Sequence, residues 1–163
     1  MNMRASKILL SLSLMLLFAC RPDDRYLYEV NTVDVLASND HKSRQKSEDQ
    51  YLATLYTNLY QQSISGNKLA EMREVIASLG DKDLGKQMLT SKLLNDPEAV
   101  IPTNIEMRAD LDGFIQDTYR RFLVREPSIA ELTYLKNILI KNPQLTPDMI
   151  YLSFTLSKEY QFY

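Results

Sequence analysis

The chain has 163 residues, with one cysteine, one histidine, four glycines and no tryptophan. Each scarcity removes a class of chemistry. One cysteine excludes an internal disulfide. The single histidine, His41, lies between Asp40 and Lys42 in a polar stretch, so no Ser–His–Asp set is available to it. Neither G-x-x-x-x-G-K-(S/T) nor G-x-G-x-x-G occurs, which removes the glycine-loop phosphate sites. Asp81, Asp83, Asp110 and Asp112 do not follow the D-x-D-x-D-G spacing of a calcium loop. No enzyme, cofactor or metal is expected from these residues.

A long apolar run is also missing. Ile8 to Phe18 is apolar except for serines, and eleven residues are too short to cross a bilayer core of about 30 Å as a helix. Arg4 and Lys7 precede it and no acidic residue occurs before Asp23, so residues 1–19 read as a secretory signal. Removing them leaves 17 of the 19 basic side chains and all 21 acidic ones, a net charge of −4. That balance argues against a nucleic-acid partner, which requires a basic face.

Leu17-Phe18-Ala19-Cys20 resembles the bacterial lipobox, in which cleavage precedes a lipidated cysteine. The resemblance implies that Cys20 carries acyl chains. Two or more hold a protein stably at a membrane, at roughly 0.8 kcal/mol per buried methylene. Arg21 stands where an inner-membrane retention signal would have Asp, and Asp23-Asp24 resembles the surface-export signal of Bacteroidetes lipoproteins. An outer-membrane anchor is expected, with the cell surface and the periplasmic face both open. Residues 20–46 are expected to form a flexible tether, with a short extended segment over Tyr26 to Leu36 and a linker over Ser38 to Glu48.

From Ser47 onward the apolar residues recur at helical spacing. Ser47 with Gln50 fits a capping box ahead of Leu52, Leu55, Tyr56 and Leu59. Leu69, Met72, Val75, Ile76 and Leu79 form a second stripe, expected to stop with Gly80 at C′. Asp81 can cap a third helix, in which Gly85 costs up to about 1 kcal/mol relative to alanine. Pro97 and Pro102 mark the boundary between a first unit at 47–97 and a second at 105–163. The second unit is expected to hold one long helix from Ile105 to Leu123, another opened by a Ser128–Glu131 capping box, and a last one capped by Thr146 with Pro147 at N1. The fold class is all-α, a bundle of about six helices. The halves align with Tyr60 on Tyr119, Leu69 to Met72 on Ile129 to Leu132, and Leu79 on Leu139, which suggests two three-helix repeats.

The second half also carries Tyr119-Arg120-Arg121-Phe122-Leu123-Val124-Arg125-Glu126-Pro127, then Glu131-Leu132, then Ser157-Lys158-Glu159-Tyr160. This pattern resembles the domain of unknown function 4214 family of bacterial secreted and surface proteins, and is similar to the phycobilisome linker domain. The likeness covers Leu111 to Phe162, with Val124 where the family usually has glycine. It implies a small helical module that holds other proteins, and it implies no reaction.

Arg125, Glu131, Glu159, Tyr119 and Tyr160 are therefore the structural or partner-binding candidates beside Cys20. One reading ties Arg125 to Glu131 or Glu159; the other gives its guanidinium to a partner's carboxylate. Arg120 and Arg121 with Lys136 and Lys141 form either a basic patch or a solvated face. The function expected is a non-catalytic accessory or scaffold subunit of an outer-membrane protein complex for secretion, barrel assembly, nutrient uptake or motility. The alternative is a glycan or cell-wall binding module.

Overall fold

The computed structural model of the protein describes residues 42–162. The signal segment, Cys20 and Tyr26 to Leu36 lie outside the described residues. The described chain is all-α. Its α-helices are α1 (Glu48–Tyr60), α2 (Gly66–Ala77), α3 (Lys82–Leu94), α4 (Asn104–Ala109), α5 (Leu111–Thr118), α6 (Ile129–Lys141) and α7 (Pro147–Thr155). A π turn, Tyr119–Leu123, extends α5, and a 3-10 turn, Glu159–Gln161, follows α7.

The starts follow the sequence closely. Both expected capping boxes form, Ser47–Gln50 and Ser128–Glu131, and Asp81 accepts from the N–H groups of Asp83 and Leu84. Each cap satisfies donors the helix itself cannot, a contribution of about 1 kcal/mol. Thr146 does precede Pro147, but its hydroxyl makes no cap bond and is buried without a partner.

Three expectations change. The helix expected over Ile105 to Leu123 is two: Asp110 ends α4 at φ −143°, ψ 83° and caps α5 through Gly113 N–H. Gly113 suits that cap, because a Cβ there would lie 2.3 Å from Asp110 Oδ2. Gly80 is not a left-handed C′ residue: α2 ends at Ala77, and among the described residues those with positive φ are Gln61 at 53° and Val124 at 55°. The tether reading also stops short of Ser47. Lys46 N–H donates to Gln161 O at 2.9 Å, Gln45 bridges Phe162, and Lys42 Nζ donates to Leu123 O at 2.5 Å. The last tether residues are thus bonded to the C-terminal turn.

The caps reveal an internal repeat in a register the apolar stripes did not give. Ser47 and Asp110, Gln61 and Val124, and Ser65 and Ser128 are equivalent in role, and each pair is 63 residues apart. The third helices start at Asp81 and Thr146, 65 apart. Burial follows the same register. Leu52 and Ile115, Ile76 and Leu139, and Thr90 and Thr155 are all fully buried. Even contacts match: Lys86 Nζ lies 5.2 Å from the Tyr51 ring, and their counterparts Tyr151 and Phe114 stack at 6.0 Å. The 60-residue offset between apolar stripes is therefore replaced. Stripes slide past each other at little cost in pattern, whereas a cap marks one residue.

One core serves both halves. Leu52, Leu55 and Leu59 of α1, Ile76 of α2 and Leu93 of α3 join Ile115, Phe122, Leu139, Tyr151 and Tyr160 in a single cluster. α3 packs on α7, so the two third helices meet across the bundle. Arg121 adds a polar tie: its guanidinium donates to Asn58 O and Leu59 O at the end of α1 and to the Tyr151 hydroxyl.

Candidate functional site

The π turn and its left-handed stop at Val124 carry Arg125 out of α5 towards the start of α6 and the end of the chain. There its Nε and one terminal nitrogen donate to both Glu159 carboxylate oxygens, at 2.7 and 2.8 Å. Its two terminal nitrogens donate to both Glu131 oxygens, at 3.0 and 2.7 Å. The planar guanidinium suits this doubly bidentate arrangement, which a lysine could not copy. Glu131 meanwhile accepts from Ser128 N–H and hydroxyl at 2.8 Å each, so one carboxylate caps α6 and holds Arg125. The guanidinium carbon lies 5.0 Å from the Tyr119 ring centre. Lys42 Nζ stands 3.5 Å from Glu159 and adds a second cation.

Electrostatics follow from this geometry. The hydrogen bonds from Arg125 hold the Glu131 carboxyl down to about 2, with Ser128 helping against the cost of burial. The same guanidinium lowers Glu159, and the two carboxylates raise Arg125 further above its ordinary value. Arg125, Glu131 and Glu159 are each held in the charged form, so none of the three is poised to exchange a proton near neutral pH, while burial lowers Lys42 and raises the Tyr119 hydroxyl. The cluster ties α6 to the C-terminal turn, and both of its acids are already occupied.

Arg125, Glu131, Glu159 and Tyr119 are thus brought together. Tyr160 belongs elsewhere: it is fully buried, edge-on to Tyr51 at 5.7 Å, and its hydroxyl accepts from Asn58 Nδ2. Cys20 lies outside the described residues. The arginine–lysine patch does not assemble. Arg120 pairs with Asp117 and Glu126, Lys136 pairs with Asp112 at 2.8 Å, and Arg121 points inward. Among the described residues no cluster of three His, Cys, Asp or Glu side chains could hold a metal ion.

Two features carried no sequence signal. Arg108 of α4 donates to Leu139 O and, at 2.9 to 3.2 Å, to the carbonyls of Asn142, Pro143 and Leu145, closing the end of α6. Those carbonyls have no partner within a helix, and an arginine 31 residues earlier supplies one. The second feature is a groove of about 250 Å³ between α2 and α3. Met72, Val75, Leu89 and Leu93 form its floor, and Lys68, Glu71, Lys92 and Asp96 its rim. Only the cap register could have pointed to it, by setting Leu89 against Phe154 and Arg125 against Gln62.

No helix among the described residues is long and apolar enough to cross a membrane. Comparison with protein-family models, curated proteins and solved structures found no match for this chain.

Proposed function

We propose that this protein is a lipid-anchored, non-catalytic accessory or scaffold subunit of an outer-membrane protein complex. The observation that carries the reading is Leu17-Phe18-Ala19-Cys20, a lipobox-like site whose cysteine is the only one in the chain. The anchored part is a helical bundle whose strongest polar cluster is spent on holding helices together. Its resemblance in the second half to a helical module of secreted and surface proteins supports the same reading. What it offers outward is shape and apolar surface. Ile129 is 85% exposed, Val124 also 85% and Tyr134 69%, all at one stretch of the second half. Single exposed apolar residues are ordinary, but Ile129, Tyr134 and Ile140 on α6, with Val124 just before it, suit contact with another protein.

The glycan alternative draws less support. It needs several tyrosine rings free to stack on sugars, and among the described tyrosines Tyr134 alone is exposed: Tyr51, Tyr60, Tyr119, Tyr151 and Tyr160 are buried and Tyr56 stacks on Tyr60.

Two measurements test the proposal. Cys20→Ser should move the protein from the membrane to the soluble fraction; retention on the membrane would sink the anchor. Purification of the wild-type chain from detergent-solubilised membranes should bring a stoichiometric integral membrane protein with it. Absence of that partner, together with pelleting on peptidoglycan, would replace the scaffold by a cell-wall module.

A further inference from the structure

We propose that the outer face of α6 pairs with the same face of a second copy of this chain, antiparallel about a twofold axis near Leu135. The inference rests on the lipid-anchored reading, which sets the concentration at which copies meet.

The repeat supplies the first argument. Ile129, Thr133, Tyr134, Asn137 and Ile140 are all exposed, and so are their counterparts 63 residues earlier, Gly66, Ala70, Glu71, Glu74 and Ala77. The fold therefore accepts small residues and carboxylates at these places. The second half puts two isoleucines, a tyrosine and two neutral polar residues there instead. Lys141 is the only charged residue among the exposed positions of α6, since Glu131 and Lys136 are half-buried and paired. A face so poor in charge suits cover by protein better than by water.

The order of residues along the helix supplies the second argument, and it selects the occupant. Ala130, Thr133, Asn137 and Ile140 recur at spacings of three, four and three, the narrow seam along which two helices pair. A twofold axis requires that where one residue meets a second, the second also meets the first. Antiparallel pairing about Leu135 satisfies this, setting Ala130 against Ile140 and Thr133 against Asn137 in both directions. Small then meets large at each end, and a hydroxyl meets a carboxamide between them. Parallel pairing would set Lys141 beside Lys141. The antiparallel register holds the two about 18 Å apart along the axis, beyond the roughly 8 Å over which charges act at physiological salt. The face is small. Its 13 residues span about 20 Å by about 10 Å, short of the roughly 800 Å² per partner of a stable interface. Copies held on one membrane surface meet at a higher effective concentration, and can pair through a contact too small to hold free chains together.

The test is disulfide trapping in membranes of cells that make the full-length chain. Two differently tagged copies, one Thr133→Cys and one Asn137→Cys, should give a mixed dimer on mild oxidation, well above either self-pair. Ile140→Asp, added to both copies at an exposed position, should lower the mixed dimer about tenfold and leave urea unfolding unchanged. A self-pair as strong as the mixed one would overturn the proposal, because the antiparallel register forbids it. Absence of any dimer, or a cross-link to a different membrane protein in its place, would overturn the pairing and leave the anchor and the scaffold standing. The parent chain, whose only thiol is Cys20, should give no dimer. A dimer there would show a free thiol; it would remove the anchor and, with it, the concentration on which the pairing depends.

Discussion

At position 85 the first half has glycine, and at the matching position 150 the second half has isoleucine. A Cβ at Gly85 would lie 3.3 Å from Ile76 Cα, so the absence of a side chain lets α3 close on the backbone of α2. Ile150 is a buried core residue, and α6 packs chiefly on α5 instead. The space left beside α7 is held by Phe154, Tyr119 and the Arg125 clamp. Two copies of one layout therefore hold their second and third helices in different ways. The first uses close backbone contact, with a groove lined by both helices; the second uses an ion-pair network. The cost of Gly85 in a helix, about 1 kcal/mol against alanine, is offset by that contact.

The comparison can be broken most severely at Gly85. Gly85→Ile, which copies the second half, should destabilise by about 3 kcal/mol, since the added side chain meets backbone that cannot turn aside. Urea unfolding measures it, and a change below about 0.5 kcal/mol would show that α3 does not depend on the close approach.

Next in size is Arg125→Ala, at about 2 kcal/mol at pH 7. The value is discounted because the three side chains are each about a third exposed, and removal still leaves two carboxylates facing each other. Gln62→Ala, at the matching place in the first half, should change stability by less than about 0.5 kcal/mol. The pH dependence sharpens the contrast. Glu131 is held at about 2 in the fold against an ordinary 4.5, so its contribution is fully present above pH 4.5 and is lost as pH falls towards 2. The gap between wild type and Arg125→Ala should narrow across that window. A gap constant from pH 6 to pH 2.5 would mean that the arginine acts through packing on Tyr119 alone.

The smallest effect is a gain. Val124 is β-branched at φ 55°, a conformation that costs an L-residue about 1–2 kcal/mol. Val124→Gly should raise stability by about 0.5–1 kcal/mol, after subtraction of the entropy glycine gains in the unfolded chain. Gln61→Gly, its counterpart, should gain less, because an unbranched side chain tolerates that region better. A loss at Val124→Gly would show that the exposed side chain makes a contact worth more than the strain.

Local chemistry was legible in the sequence wherever one residue acts on its own neighbours. Ser47, Asp81 and Ser128 announce helix starts because a cap bonds a backbone two or three positions away. The all-α class follows from the spacing of Leu52, Leu55 and Leu59 and of Ile138 and Leu139. The Arg125 cluster was partly legible, since Glu131 lies only six residues on and Glu159 completes the same motif. Asp110 reads as a capping residue, but the break it makes was hidden, because apolar residues continue at helical spacing on both sides of it.

What only the tertiary structure decided lies in pairs distant along the chain. Lys42 on Leu123 O and Glu159, Arg108 on the end of α6, and Arg121 on the end of α1 join residues 30 to over 100 apart. Nothing in the spacing of such residues selects one partner over another; close packing of the seven described helices around one core does. The same holds for the groove. Leu89 and Phe154 are both ordinary apolar residues of a helix stripe, and only the tertiary structure sets the buried Leu89 beneath a groove and Phe154 against Tyr119.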